Sequence, residues 1–174
     1  MKNVVLIGFM ATGKTTVGRR LAARLGLDFV DTDAEIERIT GKTVQEIFSC
    51  YGVVRFRSEE SLAIKKLAGE KGRVIATGGG VVLDPENITE LRRNGVLIRL
   101  VAAPEVIVSR VDRKRDRPLL NQSDVRGTVE KLMREREDFY RRAADYTVDT
   151  SSLNKEEAVE QIIFYLRERK LFNG

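Results

Sequence analysis

A glycine, four spacers, a second glycine, a lysine and a hydroxyl residue fall at Gly8, Gly13, Lys14 and Thr15 in the run GFMATGKTT, residues 8–16. That spacing belongs to loops that cradle phosphate groups. The glycines let the backbone curl until successive N–H groups point inward. Lys14 would set a point charge on the outer phosphates, and Thr15 would offer its hydroxyl to Mg²⁺. The competing reading is an ordinary glycine-containing turn. Position separates the two: the apolar run Val4-Val5-Leu6-Ile7 stands directly before the loop and a helical pattern directly after it. The helix then adds its positive end to the site.

Four further stretches carry groups that could work beside such a loop. In FVDTD (29–33), residues two apart on an extended chain point the same way, so Asp31 and Asp33 would lie side by side. One could hold the water shell of a metal while the other accepts a proton from an attacking hydroxyl. Alternatively, Asp33 caps the next helix and Asp31 merely ends a strand. In FRSEE (56–60), Arg57 and Glu60 stand one helical turn apart. They could pair on a surface, or a buried Arg57 held by Glu60 could present a planar fork to a substrate carboxylate. TGGG (77–80) ends an apolar stretch with three residues that admit close backbone approach, or it is a loose turn. RKRDRPLL (113–120) reads as a mobile lid or as a solvated loop.

The elements that must position these groups alternate in type. Strand signals fall at 3–7, in LDFVDTD (27–33), in RVIAT (73–77), in VLIRLVA (96–102) and in YTVDT (146–150). Helices are expected over 14–25, closed by Gly26, and just after Asp33. A capping box, TVQE, opens another at 43–46, and a longer one runs from about Val54 to Lys71. Asp84 with Pro85 opens a helix that Gly95 closes, APEVIVSRV starts the next, a long one covers roughly 125–144, and NKEEAVEQIIFYLRER is capped and terminal. Apolar strands between helices make an α/β chain with a parallel sheet covered on both faces. Ligands of such sheets sit beyond the carboxyl ends of the strands, where Gly13, Asp31 and Gly78 would gather.

Composition narrows the chemistry. A chain of 174 residues is read as one domain, 1–174, large enough to fold without staples. It has no histidine, so acid and base work falls to carboxylates. The single Cys50 excludes a disulfide framework and thiolate zinc, and reads as a half-buried packing residue in a reducing setting. MKNVVLIG is neither a secretion signal nor a membrane span, and a cytoplasmic protein is expected. The net charge of +5 comes from arginines interleaved with acids, as on solvated helix faces. Without an aromatic-rich basic stretch it does not point to nucleic acid.

Taken together and in order, the phosphate loop, DTD, FRSEE, GGG, RPLL and the Arg136-to-Tyr140 pair of REREDFYRRAAD make the chain resemble the shikimate kinase family, of the nucleoside-monophosphate-kinase-like group. The resemblance spans nearly the whole chain. It implies a three-layer P-loop NTPase fold with a five-stranded parallel sheet, helices on both faces and a mobile lid at about 112–124. It also implies ATP-dependent phosphorylation of the 3-hydroxyl of shikimate, in aromatic amino-acid biosynthesis. Carried over residue by residue, it gives nucleotide binding to Gly8, Ala11, Thr12, Gly13, Lys14, Thr15, Thr16, Arg110 and Arg117, with Arg110 stacking on adenine and Arg117 meeting the phosphates. It gives Mg²⁺ to Thr15 and Asp31, and shikimate to Asp33, Arg57, Gly78, Gly79, Gly80 and Arg136. Asp33, Lys14 and Arg117 would be catalytic, Asp33 as the base. A monomer acting on ATP and shikimate, with no nucleic-acid or membrane partner, is the expectation.

The chain departs from the family's pattern at Ala11, where family loops usually carry glycine. Neither VLIRL nor RVIAT holds the aspartate of the usual second nucleotide motif, which leaves the metal to Asp31. The adenine-side stretch Ser152 to Lys155 is the least distinctive. The alternatives are a kinase of gluconate or of a nucleoside monophosphate, and a nucleotide-dependent regulatory or RNA-binding module. DTD and FRSEE argue against the other kinases, because a nucleotide acceptor requires its own base-reading pocket.

Overall fold

The computed structural model describes residues 2–112 and 124–172. Five strands, β1 (Asn3–Ile7), β2 (Asp28–Asp31), β3 (Arg73–Ala76), β4 (Gly95–Val101) and β5 (Tyr146–Asp149), form one sheet in the order β2-β3-β1-β4-β5. Every pairing is parallel, with Leu6 opposite Ala76 on one side of β1 and Ile98 on the other. The helices are α1 (Lys14–Leu25), α2 (Thr32–Thr40), α3 (Val44–Gly69), α4 (Pro85–Asn94), α5 (Pro104–Asp112), α6 (Val125–Ala143) and α7 (Lys155–Glu168).

Because strand side chains alternate between faces, the sheet divides its apolar residues into two cores. Val4, Leu6, Val74, Ile98 and Leu100 pack with α1 and α7 through Val17, Leu21, Val159 and Ile162. Val5, Ile7, Ile75 and Leu97 pack on the other face with Ile64 of α3, Leu91 of α4, Ile107 of α5 and Val129 of α6. A satellite cluster of Ile36, Ile47, Phe56 and Ala63 joins α2 to α3. The three-layer parallel architecture expected from the sequence is the one observed. Among the described residues no helix is long and apolar enough to cross a membrane.

Several local expectations are corrected. The second strand stops at Asp31, because Asp31 caps α2 and the chain turns helical at Thr32. The expected long helix beginning near Val54 is continuous with the one opened by the Thr43 capping box: α3 runs from Val44 to Gly69 and kinks at Gly52 (φ 81°, ψ 174°). Gly95 closes α4 as expected, but in an extended conformation (φ −127°, ψ 159°) that also begins β4. Cys50 is exposed, on the solvent side of α3, rather than half-buried.

Close approach of α1 to the sheet is set at Gly18, where an added Cβ would meet the Phe29 ring at 2.6 Å and Leu6 at 3.1 Å. Alanine would gain about 1 kcal/mol of helix propensity, but overpacking costs about 1–3 kcal/mol. We expect Gly18→Ala to lower the urea midpoint. Gly69→Ala, where nothing lies within 4 Å of the added carbon, should leave it unchanged or raise it.

Candidate active site

The loop between β1 and α1 is built by its own backbone bonds. Gly8 sits at φ 144°, and a side chain there would overlap the carbonyl of Leu100. Gly13, at φ 100°, caps α1. Ala11 is one of two non-glycine residues with positive φ among those described, at 59°. Thr12 Oγ1 donates to the Phe9 carbonyl at 2.9 Å, and Lys14 Nζ donates to the carbonyls of Gly8 and Phe9 at 2.8 Å each.

Ala11, Gly13, Lys14, Thr15 and Thr16 line an open polar cavity together with Asp31, Asp33 and Arg110. Gly8 and the buried Thr12 stand behind this lining and hold the loop's shape. Arg110 donates to the carbonyls of Ala11 (3.1 Å) and Thr150 (2.9 Å), and Thr150 Oγ1 donates to the carbonyl of Thr12 (3.0 Å). The end of β5 is thereby tied to the loop. Hydrogen bonds in the guanidinium plane leave its flat faces open for stacking.

Asp31 and Asp33 do not lie side by side on a strand, as the sequence suggested. Asp31 ends β2 and caps α2, with Oδ1 accepting from the Asp33 amide at 3.0 Å and Oδ2 accepting from Thr15 Oγ1 at 2.9 Å. Asp33, in the first turn of α2, lines the polar cavity and also a second one beside it. The two cavities share Met10, Asp33, Gly78 and Gly79.

The second cavity brings Arg57, Glu60, Gly80 and Arg136 together against an apolar wall of Val44, Phe48 and Phe56. Arg57 is not a surface pair with Glu60: Glu60 is fully buried, accepts from Arg57 Nη1 at 2.6 Å, and sits beneath the glycine triplet. Absence of a side chain at Gly78 is what lets the carboxylates approach, since a Cβ there would lie 2.9 Å from Glu60 Oε1 and 3.0 Å from Asp33 Oδ1. At Gly80 a Cβ would overlap the Arg57 guanidinium. Burial pushes the Glu60 carboxyl up from its ordinary value, and Arg57 pulls it back. Burial also pushes the Tyr140 hydroxyl up to about 12, so it remains a proton-bearing donor to the carbonyl of Gly79.

The glycine triplet, Arg57, Arg136 and Asp33 thus meet in one place, and the phosphate loop adjoins them. Arg117 and the lid at about 112–124 lie outside the described residues except at the lid's two ends. The apolar wall was not singled out in the sequence. Val44, Phe48 and Phe56 carry the helical spacing of any core-facing residues, and only the kink at Gly52 turns both rings, 4.4 Å apart, toward the cavity.

The shikimate kinase family model matches residues 10–167. The chain belongs to the shikimate kinase family. It is 58% identical over 168 residues to the shikimate kinase of Pelotomaculum thermopropionicum, covering 97% of each chain. It is 49% identical over 171 residues to that of Thermoanaerobacter pseudethanolicus, covering 98% of this chain and 99% of the relative. Its fold superposes on the shikimate kinase of Acinetobacter baumannii, solved in complex with shikimate, with a TM-score of 0.94 at 36% identity, covering 99% and 96% of the two chains.

The buried Glu60 gives the site a pH signature. A carboxyl whose pKa is raised on folding binds its proton more tightly in the folded state, so stability falls as pH rises from the unfolded value through the folded one. Arg57→Ala removes the main opposing cause and leaves Asp84 raising the pKa further. We expect urea unfolding across pH 4–7 to show a steeper loss of stability with rising pH in Arg57→Ala than in the wild type. In Glu60→Gln this component should be absent.

Proposed function

We propose that the chain acts as one unit that transfers the γ-phosphoryl group of ATP to the 3-hydroxyl of shikimate. The observation that carries this reading is the pair of adjoining cavities that share Asp33, with the phosphate loop in one and Arg57 and Arg136 in the other. A donor must be held on one side and an acidic acceptor on the other, with a carboxylate at the boundary. Family membership supplies the identity of the acceptor.

In this mechanism Gly13, Lys14, Thr15 and Thr16 bind the phosphates through backbone N–H groups, the ammonium and hydroxyls, while Arg110 offers its flat face to adenine. Arg57 and Arg136 clamp the carboxylate of shikimate, and Val44, Phe48 and Phe56 receive the apolar side of its ring. Asp33 accepts the proton of the 3-hydroxyl as that oxygen bonds to the γ-phosphorus and the bond to the bridging oxygen of ADP breaks. Lys14 stabilises charge on the transferring group.

Among the described residues no three acidic, cysteine or histidine side chains cluster to cage a metal. The Thr15 hydroxyl beside Asp31 fits Mg²⁺, which keeps most of its water and takes phosphate oxygens with only one or two protein groups. Bound there, it would neutralise phosphate charge. We place the reaction in the cytoplasm with a monomeric enzyme.

A coupled ADP-release assay against shikimate, gluconate and nucleoside monophosphates tests the assignment, and turnover is expected with shikimate alone. Stimulation by RNA without a small acceptor would favour a regulatory module instead. Lys14→Ala should lose on the order of a hundredfold or more in rate, as for removal of a preorganised charge partner, while remaining folded by circular dichroism. Asp33→Asn should retain ATP binding but lose turnover at any Mg²⁺ concentration, whereas the defect of Asp31→Asn should be partly relieved by raising Mg²⁺. The same metal dependence in both variants would contradict the division of roles.

A further inference from the structure

The carbonyl of Gly79, the middle residue of the triplet, accepts two hydrogen bonds from α6. One comes from the Tyr140 hydroxyl and the other from Arg136 Nη1 at 3.3 Å. The second is at the long end for an N–H donor. Tyr140 is 2% exposed, and the guanidinium of Arg99 lies 5.4 Å from its ring centroid. Arg99, on β4, is a charged residue in the middle of the sheet, and it forks onto Glu137 of α6 at 2.9 and 2.6 Å. Glu137 and Tyr140 are one turn apart, so the ring and its charged neighbour are fixed from the same helix face.

A buried tyrosine bonded to a backbone carbonyl often does no more than satisfy its own hydroxyl. Two observations set this one apart. Gly79 lines both cavities, and the other donor to its oxygen is the arginine that lines the acceptor cavity. A carbonyl oxygen has two lone pairs, and a charged donor bonds it more strongly than a neutral one. Were the hydroxyl absent, the oxygen's demand would fall on Arg136 alone, and the guanidinium would be drawn from the cavity toward Gly79.

We propose that Tyr140 is a positioning residue for acceptor binding: its hydroxyl occupies the Gly79 carbonyl so that the Arg136 fork stays turned to the substrate carboxylate. Arg99 and Glu137 lock the ring in place. The inference rests on the assignment of the second cavity to shikimate.

The test is steady-state kinetics of Tyr140→Phe with both substrates, together with the preference for shikimate over its methyl ester. Loss of one hydrogen bond's worth of positioning should raise KM for shikimate about five- to tenfold. KM for ATP should stay within about twofold, and the acid-to-ester preference should shrink, because the carboxylate's partner is the group displaced. Glu137→Gln, which keeps the hydroxyl but loosens the lock, should shift the same parameters in the same direction by less. Should Tyr140→Phe not fold, Glu137→Gln carries the test alone. Leu166→Ala, a core truncation on α7, which lines neither cavity, should leave both KM values unchanged, which separates positioning from general loss of stability. An unchanged KM for shikimate, a proportional rise in both KM values, or an intact acid-to-ester preference would overturn the proposal. Wild-type protein that does not turn over shikimate would instead overturn the functional reading, and this inference with it.

Discussion

The parallel pairing of β1 with β3 is the constraint on which the site depends. With Leu6 opposite Ala76, the two strands end level, and the loops that leave them must travel side by side. Thr77 continues the pairing one step past the strand: its amide and its hydroxyl both reach the Leu6 carbonyl, at 3.1 and 3.0 Å. The next amide, of Gly78, donates to the Thr32 hydroxyl at 3.0 Å and joins the start of α2 to the same point. Phosphate loop, glycine triplet and Asp33 are therefore fixed to one edge by backbone groups that are buried and satisfied. Positioning on rigid elements is what phosphoryl transfer demands of a protein, because little covalent help is available.

On that frame the charges are arranged so that both arginines lining the second cavity have a reason to stay put. Arg57 is anchored by Glu60, which is costly to bury and is kept because Arg57 offsets the desolvation. Arg136 lies 5.9 Å from the Phe9 ring centroid and donates to Gly79. Long, flexible side chains would lose much of a bidentate bond's strength to their own ordering on binding, and fixing them beforehand removes that cost. With no histidine in the chain, the proposed mechanism leaves the base to a carboxylate and the recognition of the acidic acceptor to arginines.

Much of this was legible in the sequence because the informative residues carry local signals. Gly8, Gly13, Lys14 and Thr15 are fixed by spacing, Thr43 with Glu46 by the capping box, and Asp84 with Pro85 by helix-start chemistry; each element appears where those residues stand. What the sequence missed depends on the direction a side chain takes after a bend. Asp31 and Asp33 carry the period of a strand, but a cap bond from the Asp33 amide to Asp31 bends the chain between them. Phe48 and Phe56 are eight residues apart, and their convergence comes from a glycine in the left-handed region between them. Arg99 carries no signal of its burial within VLIRL, and its partner on α6, 38 residues away, explains it.

The departure at Ala11 shows how a local cost is carried by distant residues. A non-glycine residue held in the left-handed region costs on the order of 1–3 kcal/mol, and it persists only where its surroundings over-determine it. Here the carbonyls of Ala11 and Thr12 are both taken from outside the loop, by Arg110 and by Thr150, and Thr150 Oγ1 also reaches the Val101 carbonyl at 3.0 Å. The loop's curvature is therefore imposed by β4, α5 and the end of β5 as much as by its own glycines. Strain that is held in this way belongs to the folded protein, so it need not be supplied again when phosphate arrives. Arg110 then has two roles that cannot be varied separately: its donors shape the loop, and its side chain lines the polar cavity beside that loop.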